Sequence, residues 1–511
     1  MTTTDGDLPD ASVIVVGAGP TGLCVALELA LHGVSVILVE ARAHVEPSRP
    51  RAKTISARTM ELFRRWGVSE LVRRTAPIPV GWSSRITFCE TVTGPEVTHL
   101  DGAFGLDLAG TGLVAESGQQ MPQPVLETVL RRHVAALPGV TLLEGWRAAE
   151  VEDLGDRVRV EAHRVDALGV TRTLTARWLV GADGARSIVR RSIGARLEGE
   201  AGGHPNVNIT FRSDDLVALV ARSPSIHYWV LGSDAPGVVG PLDLEGTWWA
   251  IATGAETIAD EEEAASIVRR MVGAPIDCRV LAIDPWQAQM CLADHYARGR
   301  MLIAGDAAHQ NPPWGGHGFN TGVGDAANLG WKLAAIINEW APQAILGSYE
   351  QERRPVARAT IDAAAANMET LSSDVAGRSS ADIVAAKRPE FFSLGLVLDY
   401  GYPSNAGEMA AMESERRPPA RGKRLPHQDL ADGSSLFDQL GVGMTVLGSS
   451  AHAIALAEVL SSRGVPTVHR KCPAGGPTTT LVRPDQHVAW TGDAVEDPSR
   501  IVDTVLMHGS A

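Results

Sequence analysis

The sequence predicts an α/β protein: a parallel sheet, an antiparallel sheet inserted into it, and a small α/β domain at the C-terminal end. Three observations carry this. A β-branched run, a G-x-G-x-x-G turn and a helical stretch follow one another between Ala11 and Glu40. Short apolar runs broken by glycine, proline and aspartate replace that texture over 200–289. A basic, proline-rich stretch, Glu415 to Pro426, precedes a strand–helix–strand–hairpin–helix pattern. The chain has 511 residues, more than the ~250–300 that one hydrophobic core usually supports, so several domains are expected.

The first element is a nucleotide-binding unit. "SVIVV" reads as a buried parallel strand, and Gly17, Gly19 and Gly22 complete the turn, with Pro20 and Thr21 inside it. Leu23, Leu27 and Ala30 recur at helical spacing, Gly33 ends the helix, and "VSVILVE" is a second strand ending at Glu40. Gly17 makes the tight turn, Gly19 admits a pyrophosphate to the backbone, and Gly22 lets helix and strand pack closely. The helix start offers unpaired N–H groups and a positive dipole end to phosphates. Glu40 suits ribose hydroxyls, and Arg42 beside it can stack on or pair with the adenosine end. This Rossmann-like unit therefore predicts an adenine dinucleotide with a free 2′-hydroxyl, FAD or NAD.

Further along, "MLIAGD" is a strand ending in Asp306, where open α/β sheets bind ligands. An acid there can hold a polyol such as the ribityl chain of a flavin. Pro312 and Pro313 stiffen the loop that follows, and Gly315, Gly316 and Gly318 leave it almost bare. A helix then starts in "FNTGVGDAANLGWKLAAII", with Leu329, Leu333, Ile336 and Ile337 as its inner stripe. A planar isoalloxazine fits such a loop, and a helix N-terminus stabilises the charge that reduced flavin carries at N1 and O2. "LVGADGARSIVR", around Asp183 and Gly184, is another strand–turn–helix unit.

With these three motifs in this order, the whole chain resembles the single-component (class A) FAD-dependent aromatic hydroxylases, of the para-hydroxybenzoate-hydroxylase-like fold. Within them it is most similar to hydroxylases that tailor aromatic polyketides and other natural products in actinomycetes. The resemblance implies Asp306 on the ribityl chain, Pro313 near the flavin ring, and Gly316, Gly318, Phe319 and Asn320 around it. It implies Asp183 and Gly184 beside the pyrophosphate, and Arg51 and Gln123 as further FAD contacts. His317 stands where glutamine is often found, which leaves its side-chain role open. The implied activity uses non-covalent FAD, NAD(P)H and O2 to hydroxylate a phenolic or quinone-like ring through a flavin C4a-hydroperoxide, as in antibiotic biosynthesis. Baeyer–Villiger or decarboxylative oxygenation, or flavin binding with poor turnover, stand as alternatives. No second strand–G-x-G-x-x-G–helix unit, redox cysteine pair or W-x-W-x-I-P signature is present in the sequence. No general base is assigned; His227, His309 and His317 are candidates.

The predicted division gives 1–80, 110–199 and 290–375 to a Rossmann-like FAD-binding domain. An inserted antiparallel β-sheet substrate domain takes 81–109 and 200–289, a helical connection and linker 376–425, and a thioredoxin-like C-terminal domain lacking C-x-x-C 426–511. Aromatic residues make up only 5% of the chain, yet Tyr228, Trp229, Trp249 and Trp286 fall in the inserted sheet. These four, and Trp314 in the glycine-rich loop, are the candidate substrate-pocket residues.

Composition narrows the partners. The formal net charge is −14, which argues against a nucleic-acid binder. Five scattered cysteines offer no zinc spacing and suit a reducing cytosol. "MTTTDGDLPD" is unlike a signal peptide, and no apolar run reaches the ~18 residues of a membrane helix. The expectation is a cytoplasmic enzyme, monomer or homodimer, with a small aromatic substrate, no metal, no nucleic acid and no membrane partner.

Overall fold

Five parallel strands form the spine of the protein. Ala11–Val16 pairs with Val36–Glu40 on one side and with Thr171–Gly181 on the other. Val140–Glu144 extends the sheet beyond the second strand, and Met301–Ile303 extends it beyond Thr171–Gly181. Ala11–Val16, Val36–Glu40 and Met301–Ile303 are apolar and nearly continuously buried, as expected where helices cover both faces. Because they run parallel, their C-terminal ends meet on one edge. That edge carries Gly17, Glu40, Asp183 and Asp306. The computed structural model describes residues 9–49, 51–232, 234–370, 379–402, 418–471 and 478–507.

The helix Pro20–Leu31 starts directly after Gly19, with proline in its first turn, where no backbone donor is lost. It packs on Gly318–Ile337, and the approach is close because Gly330 lies against the Glu28 side chain. Glu28 is fully buried and accepts hydrogen bonds from Trp66 Nε1 and from the Arg65 guanidinium (2.9 Å).

The inserted sheet runs, edge to edge, through His309–Gln310, Arg279–Ala293, Leu197–Arg212, Thr247–Thr253, Gly237–Pro241, His227–Val230, Ile86–Cys89 and Glu96–Leu100. The stretch "GWSSRITFCETV" thus joins it, as the sequence predicts. One pairing departs from the antiparallel expectation: His227–Val230 runs parallel to Ile86–Cys89. The two strands come from separate segments of chain, so no hairpin dictates their direction. The long strands Leu197–Arg212 and Arg279–Ala293 carry the chain between the two sheets and suspend the second over the C-terminal edge of the first.

At the C-terminal end, Met444–Leu447 pairs in parallel with Thr467–Arg470 and antiparallel with Thr479–Val482, which continues to Val488–Gly492. The helices Ala451–Ser462 and Pro498–Leu506 complete the thioredoxin-like arrangement. Its core of Met444, Val446, Leu456 and Leu481 merges with Trp331 and Trp340, whose rings stack at 5.9 Å. The domain therefore braces the back of the Gly318–Ile337 helix. Of the basic stretch before it, residues 418–426 are described and are no loose tether. Arg424 is buried against Glu61 (3.0 Å) and the Leu113 carbonyl (2.9 Å). Residues 415–417 and Cys472 lie outside the described residues. Among the described residues no helix is long and apolar enough to cross a membrane, and no group of acids, histidines and cysteines is placed to hold a metal.

Candidate functional site

The edge where the parallel strands end opens into one cavity of about 1850 Å³, roofed by the inserted sheet. Pockets for a single drug-sized ligand reach ~1,000 Å³. This one has room for a dinucleotide and a second aromatic molecule.

The nucleotide end is built by the first turn. Gly17 has φ +99°, and a Cβ on it would strike the Ala182 carbonyl; a Cβ on Gly22 would strike the Gly17 carbonyl. Gly19 differs: a Cβ there meets no protein atom within 4 Å. Bare backbone faces open space at that point, as pyrophosphate binding requires. Pro20 and Thr21 line the same wall.

Glu40 Oε2 accepts the Ala18 N–H at 2.8 Å, and its Oε1 accepts the Arg42 N–H at 2.9 Å. Burial pushes its pKa up, but these bonds and the Arg42 and Arg131 charges outweigh burial and hold it below the usual value. Arg42 bridges to Glu127 (3.0 Å), and Glu127 also accepts from Gln123 (2.7 Å). Gln123 Oε1 in turn accepts the Ala52 N–H at 3.2 Å, next to Arg51, which lines the cavity. Glu127 went unnoticed in the sequence although it sits one helical turn after Gln123.

Two carboxylates face the middle of the cavity. Asp183 Oδ2 accepts the Ile188 N–H at 2.7 Å, whereas its buried Oδ1 has no partner. Gly184 beside it lines the wall. Asp306 makes no hydrogen bond to any described residue and opens into the cavity. Burial within the molecule raises its pKa, against the charges of His309 and Arg51. These unfilled acceptors suit the hydroxyls of a polyol, so the residues present fit FAD.

The glycine-rich loop closes the site. Pro313, Gly316, Gly318 and Phe319 line the cavity. The first intrahelical bond runs from the Thr321 N–H to the His317 carbonyl, so the Gly318, Phe319 and Asn320 amides precede it without helical partners. The Asn320 side chain is engaged within the protein. Its Oδ1 accepts from Ser56 N–H (3.0 Å) and Thr59 Oγ1 (2.7 Å), and its Nδ2 donates to the Thr54 (3.0 Å) and Gly316 (2.7 Å) carbonyls. It staples the loop to the neighbouring chain. Gly22 likewise shapes the turn without lining the cavity.

The histidines separate. His309 is locked between Asp325 (2.7 Å) and Asn311 (3.3 Å); the Asp325 charge and hydrogen bond outweigh burial and raise its pKa. Asp325 also accepts from Arg353 (2.8 Å) and the Gly305 N–H (3.1 Å), which fixes the backbone beside Asp306. His317 is buried at the helix start, and burial lowers its pKa to about 4. Among these three, only His227 lines the cavity.

Under the inserted sheet, Trp229, Trp249, Trp286 and Trp314 form the aromatic end. Trp286 and Trp314 rings lie 5.7 Å apart, and Trp286 Nε1 donates to Asn208 Oδ1 at 2.9 Å. Tyr228 does not belong to this group. Its hydroxyl donates to the Ser223 carbonyl (3.0 Å) and accepts the Ser225 N–H (2.9 Å), within the core on the other side of the sheet. Successive strand residues face opposite ways, and Trp229 takes the cavity side. The sequence reading also missed Phe104, Lys53 and Glu390, which the fold brings to this wall from distant segments.

Comparison with known proteins agrees with this geometry. A family model described as FAD binding domain matches residues 10–364, and one described as aromatic-ring hydroxylase, C-terminal, matches 418–507. The chain is 32% identical over 501 residues to a rifampicin monooxygenase of Rhodococcus hoagii, covering 95% of this chain and 96% of that protein. It is 30% identical over 545 residues to a tetracenomycin B2 monooxygenase-dioxygenase of Streptomyces olivaceus, covering 98% of each. A solved ternary complex of aklavinone-11 hydroxylase with FAD and aklavinone superposes with a TM-score of 0.85 at 25% identity, over 98% of this chain and all of that one.

Proposed function

This chain belongs to the FAD-binding aromatic-ring hydroxylases, and from that premise we propose how its cavity divides the work. The chain is a flavoprotein monooxygenase that uses FAD, NAD(P)H and O2 on aromatic or polyketide-type substrates. The chemistry that bound FAD supplies is hydride acceptance from NAD(P)H and delivery of those electrons to O2.

The observation that carries the proposal is the convergence of Gly17–Thr21, Glu40, Asp183 and Asp306 on one edge, with the aromatic cluster across the same cavity. In this reading Gly17–Gly22 and Gly184 pass the pyrophosphate, and Glu40, Arg42, Arg51 and Gln123 hold the adenosine half. Asp183 and Asp306 take hydroxyls of the polyol. The loop from Pro313 to Asn320 carries the ring, and the free amides at the helix start stabilise negative charge on its pyrimidine edge. Trp229, Trp249, Trp286 and Trp314 clamp a flat phenolic or quinone-like substrate and exclude water, and the product is its hydroxylated form.

The proposal extends to a cytoplasmic monomer or homodimer. Four of the five cysteines are buried and free, which suits a reducing compartment. The test is NADPH consumption against a panel of polycyclic phenols, with mass analysis of the products. Stimulated consumption and a product one oxygen atom heavier support the reading. Consumption unaffected by every phenol, with only hydrogen peroxide formed, contradicts it.

A further inference from the structure

Lys53 is a cation without an anion. Its side chain lies on the cavity wall and, among the described residues, takes part in no hydrogen bond or ion pair. Its ammonium sits 4.0 Å from the centre of the Trp249 ring. Burial lowers its pKa to about 8, so it is charged at neutral pH and unneutralised. Leaving a charge deep in a protein without a partner is costly, and such groups are normally paired.

The neighbouring titratable group is His227. Its ring meets Trp249 at 5.1 Å and Phe104 at 5.5 Å. Its buried Nδ1 has no hydrogen-bond partner. Burial and the Lys53 charge together hold its pKa at about 3, so it is a neutral imidazole. Glu390, a carboxylate that also lines the cavity, is taken by Lys387 at 2.7 Å and makes no ion pair with Lys53. An ammonium without a counter-ion thus lies over the Trp249 ring, and a neutral imidazole contacts the same ring, in a cavity that has room for a second molecule.

Resting on the aromatic-substrate reading, we propose that Lys53, held on the Trp249 ring and flanked by neutral His227, is an oxyanion-binding site that selects substrates carrying an ionised phenol or enol oxygen. Lys53 supplies the opposing charge. His227, a neutral imidazole on the same wall, adds no competing charge, and Trp249 holds the ammonium against its ring at the aromatic end of the cavity. The specificity follows from the pairing: a neutral analogue leaves the ammonium unpaired, and an ionised one satisfies it.

Alizarin, a hydroxylated anthraquinone that changes colour on ionisation, reports this directly, with unsubstituted anthraquinone as the neutral control. The dye is titrated on the FAD-loaded protein and read at wavelengths beyond the flavin band. Bound alizarin is expected to ionise about one pH unit or more below the free dye, as an opposite charge at close range dictates. Lys53→Met should abolish that shift and weaken binding of the dye anion about ten-fold, whereas Lys53→Arg should retain most of both. FAD content of each variant shows that the cavity has folded. If anthraquinone binds but the alizarin shift is absent, or is the same in Lys53→Met, the oxyanion site is wrong and the aromatic pocket stands. If neither compound binds, the aromatic-substrate reading fails, and the Lys53 assignment with it.

Discussion

Glu40 Oε2 accepts the Ala18 N–H at 2.8 Å, so the acid that ends the second strand also ties down the turn that follows the first. The same side chain holds the Arg42 backbone. Glu40→Ala should therefore loosen the turn and remove an acceptor for ribose. Losing one charge-assisted hydrogen bond costs about 1.5–3 kcal/mol, roughly ten- to a hundred-fold in affinity. Fluorescence titration of the apoprotein with FAD measures this, and unchanged affinity would remove Glu40 from the nucleotide site.

Two glycines of one motif should fail differently. A Cβ on Gly22 strikes the Gly17 carbonyl, so Gly22→Ala should cost about 1–3 kcal/mol of stability through overpacking. A Cβ on Gly19 meets no protein atom within 4 Å, so Gly19→Ala should leave the melting temperature of the apoprotein unchanged and weaken FAD binding about ten-fold or more. Thermal melts of the apoproteins beside FAD titrations separate the two. Equal destabilisation by both would refute this account of the turn.

Asp306 should trade stability for binding. Its folded pKa is raised by burial, so the apoprotein loses stability as pH rises through that value and the carboxylate becomes charged. Asp306→Asn removes this dependence. The variant apoprotein should melt higher than the parent at neutral pH, and the difference should vanish in acid, below the ordinary carboxyl pKa. FAD affinity should fall about ten- to a hundred-fold. An apoprotein that melts lower at pH 7 would contradict the assignment of Asp306 as an acceptor left open for a ligand.

The C-terminal domain should detach in acid. Glu352 binds Lys332 at 2.7 Å and Arg483 at 2.6 Å, joining that domain to the two long helices behind the flavin loop. Burial opposes ionisation, but the Arg483 and Lys332 charges win and lower its pKa to about 2. The folded value is depressed, so the stabilisation is complete above the unfolded value of ~4.3 and is lost as pH falls through about 2. Glu352→Gln should cost about 3–5 kcal/mol at neutral pH by leaving buried Lys332 without a carboxylate and Arg483 with Asp485 alone. Denaturant melts at pH 7 and pH 2.5 check this: the penalty should shrink at the lower pH, and a penalty independent of pH would show that the carboxylate's charge is not what holds the domain.

The sequence made the nucleotide half legible because its chemistry is local. The turn, its strand and Glu40 lie within thirty residues, and Asp306 announces itself as an acid at a strand end. The aromatic half is non-local. Tyr228 and Trp229 are adjacent, and only the pairing of their strand with Ile86–Cys89 and Gly237–Pro241 decides which one faces the cavity. Lys53 stands two residues from Arg51, but its place on the aromatic wall depends on Trp249 and His227 arriving from the inserted sheet. The resemblance implies Asn320 around the ring, and four hydrogen bonds that no local pattern announces make its side chain a staple for the loop.

A cavity that joins O2 chemistry at a flavin to an aromatic ring held under the inserted sheet must pass an oxygen atom of O2 into the product. Isotope labelling under ¹⁸O2 tests it most directly, using a polycyclic phenol that stimulates NADPH consumption. The expected result is one ¹⁸O atom in each product molecule, with NADPH consumed and product formed in near-equal amounts. Product oxygen drawn from water, with ¹⁸O found only in hydrogen peroxide, would contradict it.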